Sequence, residues 1–554
     1  MKIKERLLCL CEIGPRAPGS PDELKAAEYI RDTFRKSGID AQIEAFESPS
    51  HLALRSTLKT LESGIAFTSL PTQFSPSGKI TGKLVYIGTF DNPISNDTDL
   101  SGKIGLLIPS GSGIRERIDS ILGWEKRGLA GLIVICSTID SINARIINYP
   151  EIKKLPSVGV SWRTGSELKV LEGQKVSLEV EPEKMMRNES QNVVVRVQGE
   201  SKSWLVVSAH YDTAAFCQGG TEGGIGTAIV MELAERFADK KPSATIYFLF
   251  TGSKEYSGLD MTGAGSKVFY KKHSHEIENC IAHIDIDDIG NHLNDFRLYA
   301  AGPKAFKDAL QSIPSPYKYR LLDETTPCSD HGGAVMLGIP YLWLTDFFEG
   351  RPFSYAFADK LECVDLQRIA EYTGYINDII LKFASVRPYY PYVRDGERLI
   401  RPVRFDDIPE ILEITKQAFG PVSTDRMRQD FFGEKLGGKE WHEYKNREVE
   451  SSLKSNIYAA VACEVNGRIV GYATFFYDAE RGIANVGNNA VYPEYQGRGI
   501  GKAMQAEIKR RMLEDGYSKF AVNTLSNDIA AQKIYEKLGY KKYIANFFYL
   551  NKLQ

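Results

Sequence analysis

Four short, unbroken apolar runs do most to limit what this chain can fold into: Trp204–Ser208, Thr245–Phe250, Ile281–Ile286 and Tyr341–Leu344. None is long enough for a stable helix, and none alternates polar with apolar, so each reads as a strand buried on both faces. Ile225–Phe237 reads as a helix between the first two. Strand and helix patterns alternate from about 190 to 385, which predicts a three-layer α/β domain. Ligands of such sheets bind beyond the carboxyl ends of the strands. The polar residues of greatest interest stand there: His210 and Asp212 after the first run, Glu255 after the second, Asp287 after the third, and Glu222 in the stretch leading to the helix. A histidine and several carboxylates at successive strand ends form a candidate zinc site.

At 554 residues the chain exceeds what one hydrophobic core serves, and several folding units are expected. Ser20 as N-cap, Pro21 at the first helical position and Glu23 as the third predict an early helix. Its apolar face is Leu24, Ala27, Ile30 and Phe34, and Gly38 stops it. Residues 61–185 change character. Apolar runs at Lys83–Ile87, Ile104–Ile108 and Leu132–Ile135 alternate with glycine-rich turns, as in a β-rich unit inserted into a first domain made of 1–60 and 186–385. Residues 386–397, with Pro388, Pro391 and three tyrosines, read as a linker. A last domain, 398–554, opens at Leu399-Ile400-Arg401-Pro402.

That domain holds the sharpest local motif, Gln496-Gly497-Arg498-Gly499-Ile500-Gly501. A β-run ends near Val491, Pro493 marks a turn, and a helix begins around Gly501. Glycines let the backbone turn tightly and expose successive N–H groups, and a helix N-terminus behind them favours negative charge, which suits a pyrophosphate. Downstream come Asn523-Thr524-Leu525-Ser526-Asn527, Ala530-Ala531 and Ile534-Tyr535-Glu536-Lys537-Leu538-Gly539-Tyr540; upstream, Asn466–Tyr472 reads as a hairpin. In this order and spacing, about 398–552 resembles the GCN5-related N-acetyltransferase superfamily. The resemblance implies an α+β acetyltransferase domain that uses acetyl-CoA. Val491 and the amides of Gln496, Gly497, Arg498, Gly499, Ile500 and Gly501 would then hold the coenzyme, with Asn527 on its pantetheine arm and Tyr535 protonating the leaving thiolate. An amine must lose a proton before it attacks a thioester. Glu464 and Asn488 are the candidates for that base.

The front part, roughly 5–385, resembles the co-catalytic zinc aminopeptidases of metallopeptidase family M-28. The likeness rests on Ser208–Thr213, Glu222, Glu255 and Asp287, with Ile13-Gly14-Pro15-Arg16, Gly19-Ser20-Pro21, Ser329-Asp330-His331 and Gly338-Ile339-Pro340. Leu100-Ser101-Gly102-Lys103-Ile104 and Gly128–Ile133 in the insert resemble the protease-associated domain, a unit that is generally non-catalytic and shapes access to the peptidase cleft. The family pattern implies two metals. His210 and Asp287 match ligands of one, and Asp212 matches the carboxylate that orients the histidine. Three positions depart from the pattern. Glu222 replaces the bridging aspartate. The family's Glu-Glu pair reads Lys254-Glu255, so Glu255 keeps a ligand's place and Lys254 takes the general base's. Tyr355 stands where the last ligating histidine is expected. A lysine with its ordinary pKa of about 10.4 is a cation and cannot take a proton from metal-bound water. The metal set so implied is His210, Glu222, Glu255 and Asp287, with one zinc ion at most.

The net charge of -2 gives no field that favours nucleic acid or an anionic membrane. The local basic run Lys509-Arg510-Arg511 reads as a solvated helix face. No window approaches the roughly 20 apolar residues of a membrane span, and Leu7–Ile13 is too short for a signal segment. Eight scattered cysteines without a CxxC pair predict reduced thiols in a cytoplasmic protein, where acetyl-CoA is supplied. Two functions remain open. One is an N-acetyltransferase whose altered aminopeptidase-like domain binds a peptide or amino-acid derivative. The other is a bifunctional zinc metallopeptidase and N-acetyltransferase. Either takes a small-molecule or peptide amine, whose identity the sequence does not specify.

Overall fold

A computed structural model describes residues 2–48, 55–111, 114–142, 149, 151–181, 189–255, 263–292, 295–322, 328–346, 359–389 and 392–543. The front domain opens with a helix α1 (Lys2–Ile13) that the sequence reading left unassigned, followed by α2 (Pro21–Lys36). Ser20 caps α2 by accepting from the Glu23 amide at 3.0 Å. Glu23 does not close an ordinary capping box. Its carboxylate instead accepts from the Gly19 amide at 2.7 Å and from Ser190 Oγ at 2.6 Å, which ties the helix start to the sheet. Burial, with Asp212 nearby, pushes the Glu23 carboxyl up to about 8.

The front sheet contains, in chain order, β1 (Ala41–Glu47), β2 (Glu189–Val197), β3 (Trp204–His210), β4 (Thr245–Thr251), β5 (Cys280–Ile286), β6 (Arg297–Ala301), β7 (Lys318–Leu322) and β8 (Tyr341–Thr345). Their spatial order is β1-β2-β4-β3-β5-β8-β6-β7. The four central strands β4, β3, β5 and β8 run parallel, so their carboxyl ends open on one edge. These are the four apolar runs, and β3, β4 and β5 are buried along their whole length. Alternation along β3 feeds both faces. Leu205, Val207 and Ala209 pack with α1, α2, α3 (Ile225–Ala238) and α7 (Leu366–Phe383), while Trp204 and Val206 pack with α4 (Ala264–Lys272). Helices on both faces make the three layers. Two further helices, α5 (Lys304–Gln311) and α6 (Gly332–Val335), lie between β6 and β8 in sequence.

Strands β1 and β2 pair antiparallel, Ala41 opposite Val195, although about 140 residues separate them. The chain between them leaves and returns at neighbouring points, so it can form a separate unit without disturbing the sheet. Its own eight-stranded sheet starts at Ser56–Thr60, ahead of the expected boundary, and ends at Lys175–Val180. The unit is not purely β: helices at Ile114–Lys126 and Trp162–Val170 pack on it.

The back domain begins inside the expected linker, because β9 (Val393–Asp395) pairs with β10 (Arg398–Pro402). The chain continues through α8 (Ile408–Phe419), α9 (Thr424–Phe432), α10 (Trp441–Ser455), β11 (Ala460–Val465), β12 (Arg468–Asp478), β13 (Ile483–Val491), α11 (Ile500–Glu514), β14 (Phe520–Ala521) and α12 (Ile529–Lys537). The strands follow one another in sequence order across a six-stranded sheet. α8 and α10 cover one face through Ile411, Ile414, Val449 and Leu453. α11 and α12 cover the other through Met504, Ile508, Met512 and Tyr535. Arg511 is fully buried on α11 and held by Glu507 at 2.8 Å, so the basic run is not the solvated face its composition suggested. Ala301, Val335 and Tyr341 join the α8–α10 core, and Tyr458 Oη donates to the Ile339 carbonyl at 3.0 Å, so the two domains share packing. Among the described residues no helix is long and apolar enough to cross a membrane.

Arg16 pins the loop that follows β3. Fully buried, it donates to the carbonyls of Tyr211 at 2.7 Å, Leu10 at 2.8 Å and Gln218 at 2.8 Å. Arg16→Met strands these oxygens, at about 1–3 kcal/mol each. We expect the front domain's unfolding free energy to fall by roughly 3 kcal/mol or more, measured by chemical denaturation; an unchanged midpoint would show that the loop holds itself.

Candidate active sites of the two domains

At the carboxyl edge of the front sheet, His210 ends β3 and Asp287 follows β5. Glu222 lies in the buried turn Gly220–Gly224 before α3. His210 Nε2 stands 3.1 Å from Asp287 Oδ1 and 3.7 Å from Glu222 Oε1. One atom from each of the three comes within 4.8 Å of the others, a spacing that could hold a metal ion. Gly223, with φ +89°, is required here: a Cβ would lie 2.6 Å from the Asp212 carbonyl and 3.1 Å from the His210 ring. Asp359 sets the turn by accepting from the Thr221 amide at 2.7 Å and the Glu222 amide at 3.1 Å, and burial pushes its carboxyl up to about 6. Ser329 Oγ donates to Asp287 Oδ2 at 2.7 Å, and Asp212 accepts from the Glu255 amide at 2.9 Å.

The centre of this cluster is a cation. Lys254 Nζ lies 2.7 Å from Glu222 Oε1, 3.1 Å from Glu255 Oε1 and 3.2 Å from Asp287 Oδ2, with its side chain 3% exposed. Glu255 is thus brought to Lys254 and not into the three-residue group with His210. Burial would raise the Asp287 carboxyl, but the charges of Lys254 and His210 outweigh it and hold Asp287 well below the usual range. For His210, burial and Lys254 both push the pKa down, yet the bonds to Asp212 and Asp287 outweigh them and raise it well above its ordinary value. Tyr355 lies outside the described residues.

These donors suit one zinc, with His210 giving up its extra proton. Among the described residues, Lys254 stands against a second metal on Glu222. An ammonium hydrogen-bonded to Glu222, the carboxylate in the bridging place, would be repelled by divalent ions on that same carboxylate. It also supplies no base for water.

In the back domain β13 and β14 are parallel neighbours for only two pairs, Ala484–Phe520 and Asn485–Ala521, and then part. A cleft of about 540 Å³ lies where they diverge, walled by Gly487, Asn488 and Asn489 on one side and residues 522–526 on the other. Tyr535 reaches it from the α11–α12 face, and Lys445 and Glu448 of α10 from the opposite face. Asn489 Nδ2 donates to Tyr535 Oη at 3.0 Å, and burial raises the phenol's pKa despite the lowering effect of that bond. Asn488 Nδ2 donates to Glu448 Oε1 at 3.1 Å.

Gly497 (φ +76°) and Gly499 (φ +79°) turn the chain into α11, whose first N–H groups have no intrahelical acceptor. Gln496 Nε2 donates to the Val491 carbonyl at 3.1 Å, and Arg498 to the Glu494 carbonyl at 2.9 Å, which closes the loop around the helix start that carries Ile500 and Gly501. Asn527 does not line the cleft: its amide donates to the Pro421 carbonyl at 2.9 Å. Glu464 is engaged with Arg401 at 3.0 Å, away from the cleft. Glu448 and Asn489 escaped sequence reasoning. Nothing in the pattern of α10 distinguishes Glu448 from the other charges of that helix.

A mixed sheet with its polar cluster at the parallel carboxyl ends defines an aminopeptidase-like α/β domain, and the splayed sheet behind it an acetyltransferase-like one. Residues 192–377 match the model of Peptidase family M28, and residues 422–540 that of the Acetyltransferase (GNAT) family. Over 317 residues the chain is 25% identical to the probable lipoprotein aminopeptidase LpqL of Mycobacterium tuberculosis, covering 54% of this chain and 58% of that protein. Over 285 residues it is 24% identical to aminopeptidase YwaD of Bacillus subtilis, covering 50% and 59%. The chain therefore spans less than two thirds of these curated relatives. In fold it is similar to a peptidase M28 precursor from Shewanella amazonensis (TM-score 0.59, 18% identity, 70% of this chain and 93% of that one). It is similar also to BSAP, a zinc aminopeptidase from Bacillus subtilis (TM-score 0.56, 19% identity, 68% and 93%).

Lys254→Met would leave buried carboxylates without their cation. We expect a loss of about 3–5 kcal/mol of stability in chelator, with added zinc raising the melting temperature of the variant far more than that of the native protein. Equal zinc responses in differential scanning calorimetry would show that Lys254 does not contend for the metal position.

Proposed function

We propose that this protein is an acetyl-CoA-dependent N-acetyltransferase acting on an amine, with an aminopeptidase-like domain whose chemistry is altered and which binds a peptide or amino-acid-derived compound. The reading rests on one observation above all: Tyr535 lines the cleft where β13 parts from β14, and it packs in the same core as Ile500 at the glycine-built start of α11, whose own loop does not line the cleft. The exposed amides of that start suit a pyrophosphate. Acetyl-CoA, when bound, supplies an acetyl group on a thioester. The chain's own part is to bind the coenzyme, to orient Tyr535 through Asn489 and to give the phenol proton to the departing sulfur. A cytoplasmic location accords with that substrate. The inserted β-rich unit is read as a protease-associated domain bordering the front cleft.

The second reading, a zinc metallopeptidase joined to an N-acetyltransferase, is favoured by the retained His210, Glu222 and Asp287 group. Lys254 weighs against it, since it is a cation where a base is needed. Elemental analysis paired with assays on aminoacyl amides decides between them. We expect at most one tightly held zinc and poor cleavage; two zinc ions with metal-dependent hydrolysis would establish the bifunctional enzyme.

For the back domain, Gly499→Val forces a branched residue to φ +79°. That strain is about 1–3 kcal/mol, so calorimetry should show acetyl-CoA binding weakened by about tenfold or more. Tyr535→Phe should lower turnover by up to about 10²–10⁴-fold with little change in acetyl-CoA affinity. Full turnover in the variant, where chemistry limits the rate, would make Tyr535 a packing residue.

A further inference from the structure

Lys445 and Glu448 lie one turn apart on α10 and form an ion pair of 3.0 Å on the wall of the acetyltransferase cleft. They differ in how they are held. Lys445 is largely covered, 15% exposed, with its ammonium 4.9 Å from the centre of the Phe419 ring. Glu448 is 57% exposed and oriented by the Asn488 amide at 3.1 Å. The cleft thus offers a fixed cation and an accessible carboxylate side by side, on the face opposite Tyr535. Asn488 and Asn489, consecutive on β13, orient Glu448 and Tyr535 respectively, so one strand sets a carboxylate and a phenol on the two sides of the parted sheet.

A surface ion pair of this kind is worth little by itself. Its two members are free to exchange one another for a ligand that carries the mirrored pair of charges. An α-amino acid does so, with an ammonium and a carboxylate on one carbon. An amine without the carboxylate would leave Lys445 unanswered, and a peptide N-terminus has no carboxylate at that distance. We propose that the acceptor is a free α-amino acid, its carboxylate received by Lys445 and its amino group by Glu448, with Glu448 as the general base. The proposal rests on the acetyltransferase reading above.

In the transfer the ammonium gives one proton to the Glu448 carboxylate, and the freed nitrogen lone pair forms the N–C bond to the acetyl carbonyl carbon. The C–S bond breaks, its electron pair leaves on sulfur, and sulfur takes the Tyr535 phenol proton. The products are an N-acetylamino acid, which loses its second nitrogen proton to solvent, and the free thiol. Glu448 then returns its proton to solvent and Tyr535 regains one.

The test uses the full chain, acetyl-CoA, and a panel of free amino acids beside their amides. For the preferred side chain we expect kcat/KM for the free acid to exceed that for its amide by about tenfold or more. Lys445→Met should bring the ratio to about one by raising KM for the acid, and Lys445→Arg should keep the preference. Glu448→Gln should lower kcat by about 10²-fold or more for acid and amide alike. Equal use of acids and amides by the native protein, or a ratio untouched by Lys445→Met, overturns the proposal while leaving the N-acetyltransferase intact. So does acetylation confined to peptides or polyamines. A native chain that neither binds acetyl-CoA nor acetylates any amine removes the parent reading with it.

Discussion

A single ammonium, Lys254, holds together the charged centre of the front domain. Three buried carboxylates, those of Glu222, Glu255 and Asp287, converge on it within 3.2 Å. Carboxylates gathered out of water repel one another and need a compensating charge. A pair of divalent ions is one source of that charge; here a side chain supplies part of it covalently. Unlike a metal ion, such a charge cannot be chelated away. The fold can therefore keep its parallel strands, its buried aspartates and its glycine turn with a side-chain cation seated among the carboxylates.

The segment from Ser329 to Tyr341 connects this centre to the other domain. Ser329 donates to Asp287, Asp330 accepts from Thr251 Oγ1 at 2.6 Å, and His331 bonds Asp285 at 2.8 Å while its ring stacks on Tyr341. Further along, the Met336 carbonyl accepts from the Phe405 amide at 2.9 Å, and Ile339 accepts from Tyr458, just beyond α10. The α10 helix that carries Lys445 and Glu448 is thus anchored on the aminopeptidase-like domain, so the fusion is structural as well as sequential.

Much of the fold was legible because its causes are local. Unbroken apolar runs marked β3, β4, β5 and β8, and the reading of Ile225–Phe237 as a helix agrees with α3 to within a residue. Ser20 and Pro21 marked the start of α2 because capping depends on neighbours three residues away. Gly497 and Gly499 marked a turn that only left-handed backbone can make. The helix α1 was passed over because its apolar face is narrow and interrupted by charge, and only its packing against α3 shows why Leu7 and Leu10 are apolar. Arg511 misled for the opposite reason: a basic residue next to two others reads as solvated, yet Glu507, one turn back, carries it into the core.

The sequence alone marked the four central strands, the cap of α2 and the glycine turn, since each follows from residues within a few positions of one another. Tertiary structure decided where the charges meet. That Lys254 points at Glu222, 32 residues away, and that Asn488 and Asn489 select Glu448 and Tyr535 from opposite faces of one sheet, depends on strand register and on where β13 and β14 part. Electrostatic and hydrogen-bond energies depend on distances of a few ångströms between such residues, and no local pattern encodes a distance set by the whole sheet.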